Sequence, residues 1–153
     1  MIRLNLPEYP MKIEQEGDAT WIFDPIRKKR VVLTPEEWVR QHFVQYLLHE
    51  KEVPQSLVRI EMGLRLNQLK KRGDIVVFDR SGRPVLIVEC KAPDVKMDQK
   101  VFDQVARYNL ALKVDYLIIT NGLKHYCCRM DYPNHSYQFI ESIPGYSKMA
   151  GIL

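Results

Sequence analysis

The spacing of apolar positions changes several times along the chain, and each change marks an element. Between Pro35 and Glu50, Val39, Phe43, Tyr46 and Leu47 share one face at helical spacing. Thr34 suits the N-cap, Pro35 the first helical position, and Glu37 completes a Thr-x-x-Glu capping box; Pro54 ends the helix. A second helix over 98–113 follows from Val101, Val105, Tyr108 and Leu112, spaced by four, three and four. Strand-like runs fill the rest. Trp21–Asp24 and Arg30–Leu33 form a pair joined through Pro25, and Ser56–Glu61 alternates in part. Ile75–Phe78 and Pro84–Cys90 flank a tight Ser81-Gly82-Arg83 turn. Asp115–Thr120 stops at Asn121-Gly122, and Lys124–Arg129 with Tyr137–Glu141 makes a last pair.

This order of helix, three-strand meander, helix, strand and hairpin predicts an α/β domain with a central mixed β-sheet flanked by helices. No repeat or linker divides the chain. Residues 20–153 are therefore expected to form one domain, with 1–19 as a loosely attached N-terminal arm. The apolar runs are strand-sized, well short of the ~20 residues that a membrane-spanning helix needs. Met1–Asp18 has no apolar stretch of the kind found in a secretory leader. Cys90, Cys127 and Cys128 are odd in number and show no CxxC spacing, which fits a reducing cytoplasm better than a disulfide scaffold. The four histidines show no zinc spacing. The net charge of +4 permits a polyanionic partner without demanding one. Arg27-Lys28-Lys29-Arg30 and Lys70-Lys71-Arg72 are candidate phosphate contacts, solvated faces being the ordinary alternative.

The residues with chemistry sit in the hairpin. Asp74 opens one strand, and Glu89-Cys90-Lys91 closes the next. Side chains two apart in a strand share a face, so Glu89 and Lys91 project together and Cys90 points the other way. A hairpin centred on Ser81-Gly82 sets Asp74 opposite Glu89, which brings the two carboxylates within roughly 5 Å. Such a pair requires protonation, a basic neighbour or a bound cation. Mg²⁺ or Mn²⁺ suits two hard carboxylate oxygens, a backbone carbonyl and several waters. Lys91 could then orient an attacking water or offset charge on phosphorus, which is metal-assisted phosphodiester hydrolysis in outline. The plain alternative is a surface salt-bridge set, against which the apolar run Val85–Val88 and the strand terminus both argue. On the first helix, Glu36 falls near the centre of the apolar face, so it is a candidate auxiliary ligand, or else a favourable charge at a helix N-terminus. Glu37 falls well off that face and is expected to act as the capping partner. Gln104 and Tyr108, one turn apart, could touch phosphate or sugar oxygens.

Gly73-Asp74-Ile75-Val76-Val77 followed by Val88-Glu89-Cys90-Lys91-Ala92-Pro93 resembles the PD-(D/E)XK nuclease signature. More narrowly, the chain is similar to the N-terminal nuclease domain of type I restriction enzyme R subunits. Thr34–Gln41 looks like that family's first helix, Gln104–Asn109 matches its Gln-x-x-x-Tyr element, and Thr120-Asn121-Gly122 resembles the strand end that follows. The resemblance implies a restriction-endonuclease-like fold and Mg²⁺-dependent cleavage of DNA. By it, Asp74, Glu89 and the Cys90 carbonyl would hold the metal. Lys91 would be the catalytic lysine and Glu36 the accessory acid, and Gln104 and Tyr108 would handle DNA, with Lys70, Lys71 and Arg72 neutralising phosphates. R subunits resemble fusions of this domain to a helicase-type motor, whereas this sequence has no Gly-x-x-x-x-Gly-Lys-Ser/Thr loop. A separate motor or specificity subunit, or a homodimer, is therefore the expected kind of partner. The rival reading is a non-catalytic nucleic-acid-binding or assembly module that keeps the fold.

Overall fold

A computed structural model describes residues 1–66, 69–110 and 113–152, without the side chains of 61–66, 69–73 and 108–110. Three strands, β1 (Ile13–Glu16), β2 (Ala19–Asp24) and β3 (Lys29–Val32), form a small antiparallel sheet. Helix α1 (Pro35–Glu50) follows, then β4 (Val58–Leu66), β5 (Leu69–Phe78) and β6 (Pro84–Cys90). Helix α2 (Gln99–Leu110) leads to β7 (Tyr116–Thr120), β8 (His125–Asp131), β9 (Ser136–Ile140) and the short α3 (Tyr146–Met149). Strands β4 to β9 lie in sequence order in one six-stranded sheet. It is mixed, because β6 and β7 run parallel and every other neighbouring pair antiparallel. The parallel pair needs a crossover, and α2 lies within it.

Strand alternation sorts the core into two layers. Ile75, Val77, Leu86, Val88 and Ile118 pack with Val39, Phe43, Val44 and Leu47 of α1. Their neighbours Val76, Ile87, Leu117 and Ile119 pack on the other face with Phe102 and Ala106 of α2. The central strands are buried on both faces, which is why they read as unbroken apolar runs. Cys127 and Cys128 divide between the two layers, and burial pushes both thiols up to about 12. All three cysteines are free. Among the described residues no helix is long and apolar enough to cross a membrane.

The helix starts follow their local signals. Thr34 Oγ1 accepts the Glu37 N–H at 3.0 Å, and Asp98 Oδ1 accepts the Val101 N–H at 2.9 Å. The arm expected over 1–19 is instead tied down. Its end is β1, joined to β2 by a turn in which Gly17 has φ 61°. Leu4 is buried in the α1-side layer, the Asn5 N–H donates to the Gly122 carbonyl at 2.8 Å, and Trp38 Nε1 donates to the Ile2 carbonyl at 2.8 Å. His125 Nε2 completes the anchorage by donating to the Asn5 carbonyl at 2.9 Å. These contacts join residues far apart in sequence, beyond the reach of local patterning.

Gly122 meets the arm in the left-handed region, φ 85°, and a Cβ there would stand 2.7 Å from Leu4 Cδ2 and 3.1 Å from Val39 Cγ2. Gly122→Ala is expected to lower stability by roughly 1–3 kcal/mol and to loosen the arm toward proteases. An unchanged denaturation midpoint with no new cleavage before Leu6 would refute this anchorage. Thr34→Ala should cost about 1 kcal/mol in the same denaturation assay, as the loss of a helix cap does.

Candidate active site

The site is assembled where β5 and β6 part. Their ladder pairs Ile75 with Val88, and that register carried one step further sets Asp74 opposite Glu89. There the Asp74 side chain supplies the next rung, Oδ2 accepting the Cys90 N–H at 2.7 Å. On the other side of β6, Cys90 pairs with Thr120 of β7, and the Lys91 N–H donates to the Thr120 carbonyl at 2.8 Å. Asp74, Glu89 and Lys91 are thereby placed at the carboxyl end of β6, beside its parallel neighbour. Asp74 and Lys91 are half-buried, and Glu89 is only 7% exposed.

Helix α1 brings a cation to this point. Arg40 is 4% exposed, and its Nη2 donates to Glu36 Oε1 at 2.8 Å and to Asp74 Oδ1 at 3.1 Å. Its Nη1 donates to Glu37 Oε1 at 2.8 Å. Glu37 also accepts from Arg27 Nη2 at 2.8 Å and from Gln41 Nε2 at 3.0 Å, and Arg27 is itself ion-paired with the buried Asp24. Burial works against the charge on Arg40, but Glu37, the Cys90 sulfur and Asp74 outweigh it and raise its pKa beyond the usual range. The Cys90 thiol is pushed well up, first by burial and then by the charges of Asp74, Glu89 and Glu36, with Arg40 opposing them.

Glu36 and Glu37 exchange the positions expected of them. Glu37 is the buried acid, with its carboxylate taken by Arg27, Arg40 and Gln41. Glu36 has the core-facing angle, but its side chain is 46% exposed because it stands in the first turn, ahead of the packed residues Val39 to Leu47. It reaches Asp74 through the shared Arg40 Nη2. Arg40 is absent from the sequence-based site. Its signal is an Arg three and four residues after two acids, on the stripe that α1 buries.

Other expected residues lie apart from this cluster or outside what is described. Gln104 is exposed on α2, with no hydrogen bond to Asp74, Glu89 or Lys91 among the described residues. The side chains of Tyr108, Lys70, Lys71 and Arg72 fall outside the described residues. In the other basic cluster, Arg27 pairs with Asp24 and Glu37, and Arg30 pairs with Glu14 and Glu16 and lies over the Trp21 ring. Lys28 and Lys29 make no ion pair among the described residues. Among the described residues no three His, Cys, Asp or Glu side chains gather closely enough to enclose a metal ion. Any ion would take two carboxylates, backbone oxygen and water. A hollow of about 340 Å³ beside the site is bounded by Met1, Ile2, Pro35, Pro93 and Asp94.

Comparison with known proteins bears on the fold and the family. A solved fragment described as an HsdR subunit of a type I restriction enzyme from Vibrio vulnificus YJ016 shares the fold at a TM-score of 0.52 and 20% identity. The match covers 74% of this chain and 24% of that one, so this chain corresponds to about a quarter of its relative. No curated protein matches the sequence. The family model for the type I restriction enzyme R protein N terminus matches residues 35–144, from the first residue of α1 to just past β9. The chain belongs to that family.

Proposed function

We propose that this chain is a nuclease module of the PD-(D/E)XK type that hydrolyses DNA phosphodiester bonds with Mg²⁺ or Mn²⁺. The observation that carries this reading is the Asp74 side chain bonded to Cys90 N–H at the parting of β5 and β6, with Glu89 opposite and Lys91 two residues on. The donor set suits a hard divalent ion. Asp74 Oδ1 accepts from Arg40 and Oδ2 from the Cys90 N–H, which leaves each oxygen a lone pair for a metal, and Glu89 adds a second, buried carboxylate. Asp74, Glu89 and the Cys90 carbonyl would hold the ion, and two acids so placed require a cation near them.

When bound, such an ion supplies Lewis acidity and makes a coordinated water more acidic. The protein's own groups do the rest. Lys91 makes no ion pair among the described residues, so its ammonium is available to orient the attacking water and to offset the charge that grows on the phosphoryl oxygens. Glu36, half-exposed at the rim, is the accessory acid. Lys70, Lys71, Arg72, Gln104 and Tyr108 are the proposed DNA contacts, giving weakly specific, salt-sensitive binding. A separate motor or specificity subunit would confer translocation or site choice, and a homodimer would allow both strands to be cut.

One observation favours the rival, a DNA-binding or assembly module without turnover: Asp74 already has a cation in Arg40. Incubation with plasmid and linear DNA in Mg²⁺, Mn²⁺ or chelator separates the two readings. Cleavage is expected with metal and none with chelator. Lys91→Ala should lose cleavage by roughly 100-fold or more while its melting temperature stays near that of wild type. DNA binding without metal-dependent cutting would select the rival, and full activity of Lys91→Ala would remove the role assigned to that lysine.

A further inference from the structure

The proposed chemistry leaves the most enclosed charge of the site without a task. Arg40 stands in the second turn of α1, where Val39, Phe43 and Val44 around it pack on the sheet. An apolar residue at this position would satisfy the packing, and replacing a buried ion pair by well-packed apolar groups is often neutral or stabilising. The guanidinium instead answers three carboxylates from two elements: Glu36 and Glu37 of α1 and Asp74 of β5. Arg27, from the β2–β3 turn, is a second cation, and it pairs with Glu37 and Asp24. Between Glu36 and Asp74 the shared positive group is Arg40 Nη2. The planar fork of an arginine can serve several carboxylates at fixed angles, which an ammonium on a flexible stem cannot.

We propose that Arg40 is the positioning residue of this site: a built-in counter-cation that holds Asp74 against β6 and draws Glu36 toward it, so that the acids stand assembled before any metal arrives. Its purpose rests on the metal-dependent reading above. Its test does not. With Arg40 in place, the Asp74 carboxylate is fixed from two directions, by Cys90 N–H in the plane of the sheet and by the guanidinium from the helix layer. Without it, Glu36, Glu37 and Asp74 would lose the cation that they share, and like charges this close to a protein interior repel.

The decisive measurement is a double-mutant cycle on the full chain, by thermal unfolding in chelator and without DNA. Arg40→Met keeps most of the volume and drops the charge, and it is expected to lower the melting temperature by roughly 10 °C, as the loss of one partner from a buried ion pair does. Adding Asp74→Asn should restore about half of that loss, because one of the repelling acids is then neutral. Arg40→Lys should lose less than Arg40→Met. Additive losses in the double variant, or equal losses in the Lys and Met variants, would overturn the proposal and reduce Arg40 to packing. If Arg40→Met does not fold, folding of Arg40→Met/Asp74→Asn supports the counter-cation, and failure of Arg40→Lys as well overturns it. A Mn²⁺ titration tests the link to the metal: the ion should raise the melting temperature of Arg40→Met more than that of wild type, and an equal or smaller rise would sever that link. Failure of wild-type protein to cut DNA bears on the proposed function alone, since the cycle is measured without metal or substrate.

Discussion

Charge buried in a protein has to be matched where it stands, and around Arg40 that requirement governs how α1, the β2–β3 hairpin and the middle of β5 fit together. Asp24 fixes the hairpin turn by accepting the Ile26 and Arg27 N–H groups, at 2.8 and 3.0 Å, and by pairing with the Arg27 side chain. Arg27 passes the link to Glu37, Glu37 to Arg40, and Arg40 to Asp74. The chain alternates acid and base from the small sheet, across the helix start, to β5 of the large one. Its members are useful only together, since removing any one leaves a neighbour charged and enclosed. Apolar packing supplies most of the adhesion between α1 and the sheet, but it tolerates sliding and substitution. The charge chain sets the register of the helix against the sheet.

The sheet then determines where the acids can meet. Strand alternation gives α1 one face and α2 the other, and the central strands are consumed by packing along their length. Polar chemistry has room only at strand ends. The carboxyl end of β6 is suited to it, because β5 leaves the ladder there and β7 runs parallel alongside. Sites in layered α/β proteins gather at such carboxyl ends. Asp74 substitutes a side chain for a backbone rung, which both closes the sheet and orients a carboxylate.

The N-terminal residues and the basic clusters show how tertiary contacts reassign sequence features. Leu4 and Asn5 close over the Asn121-Gly122 turn, so a segment without helical or strand periodicity becomes part of the α1-side layer. Arg30, one of four consecutive basic residues, is engaged by Glu14, Glu16 and the Trp21 ring inside the small sheet. Much of a run of positive charge in the sequence is thus taken up by internal pairing.

Much of the fold was legible because its signals are local. The Thr34 cap, the helical spacing of α1, the Ser81-Gly82 turn and the apolar runs of β6 and β7 each depend on residues within a few positions of one another, whereas the Glu37 side chain left its expected capping role for Arg27, Arg40 and Gln41. The hairpin register followed from the turn, and with it the placement of Asp74 opposite Glu89. Strand β1 was missed although Gly17-Asp18 is a hairpin turn signal, because the exposed run Ile13–Glu16 carries almost no apolar pattern. The exchange of Glu36 and Glu37, the anchoring of Leu4 and Asn5, and the position of Arg40 among the acids were decided by the tertiary structure alone. Each depends on residues outside one local window, such as Arg27 with Glu37, 10 positions apart, or Arg40 with Asp74, 34 apart. Periodicity tells which way a side chain faces from its own element. Which charge waits opposite is set by how the elements pack, and electrostatic pairing falls off over a few ångströms in space whatever the distance in sequence.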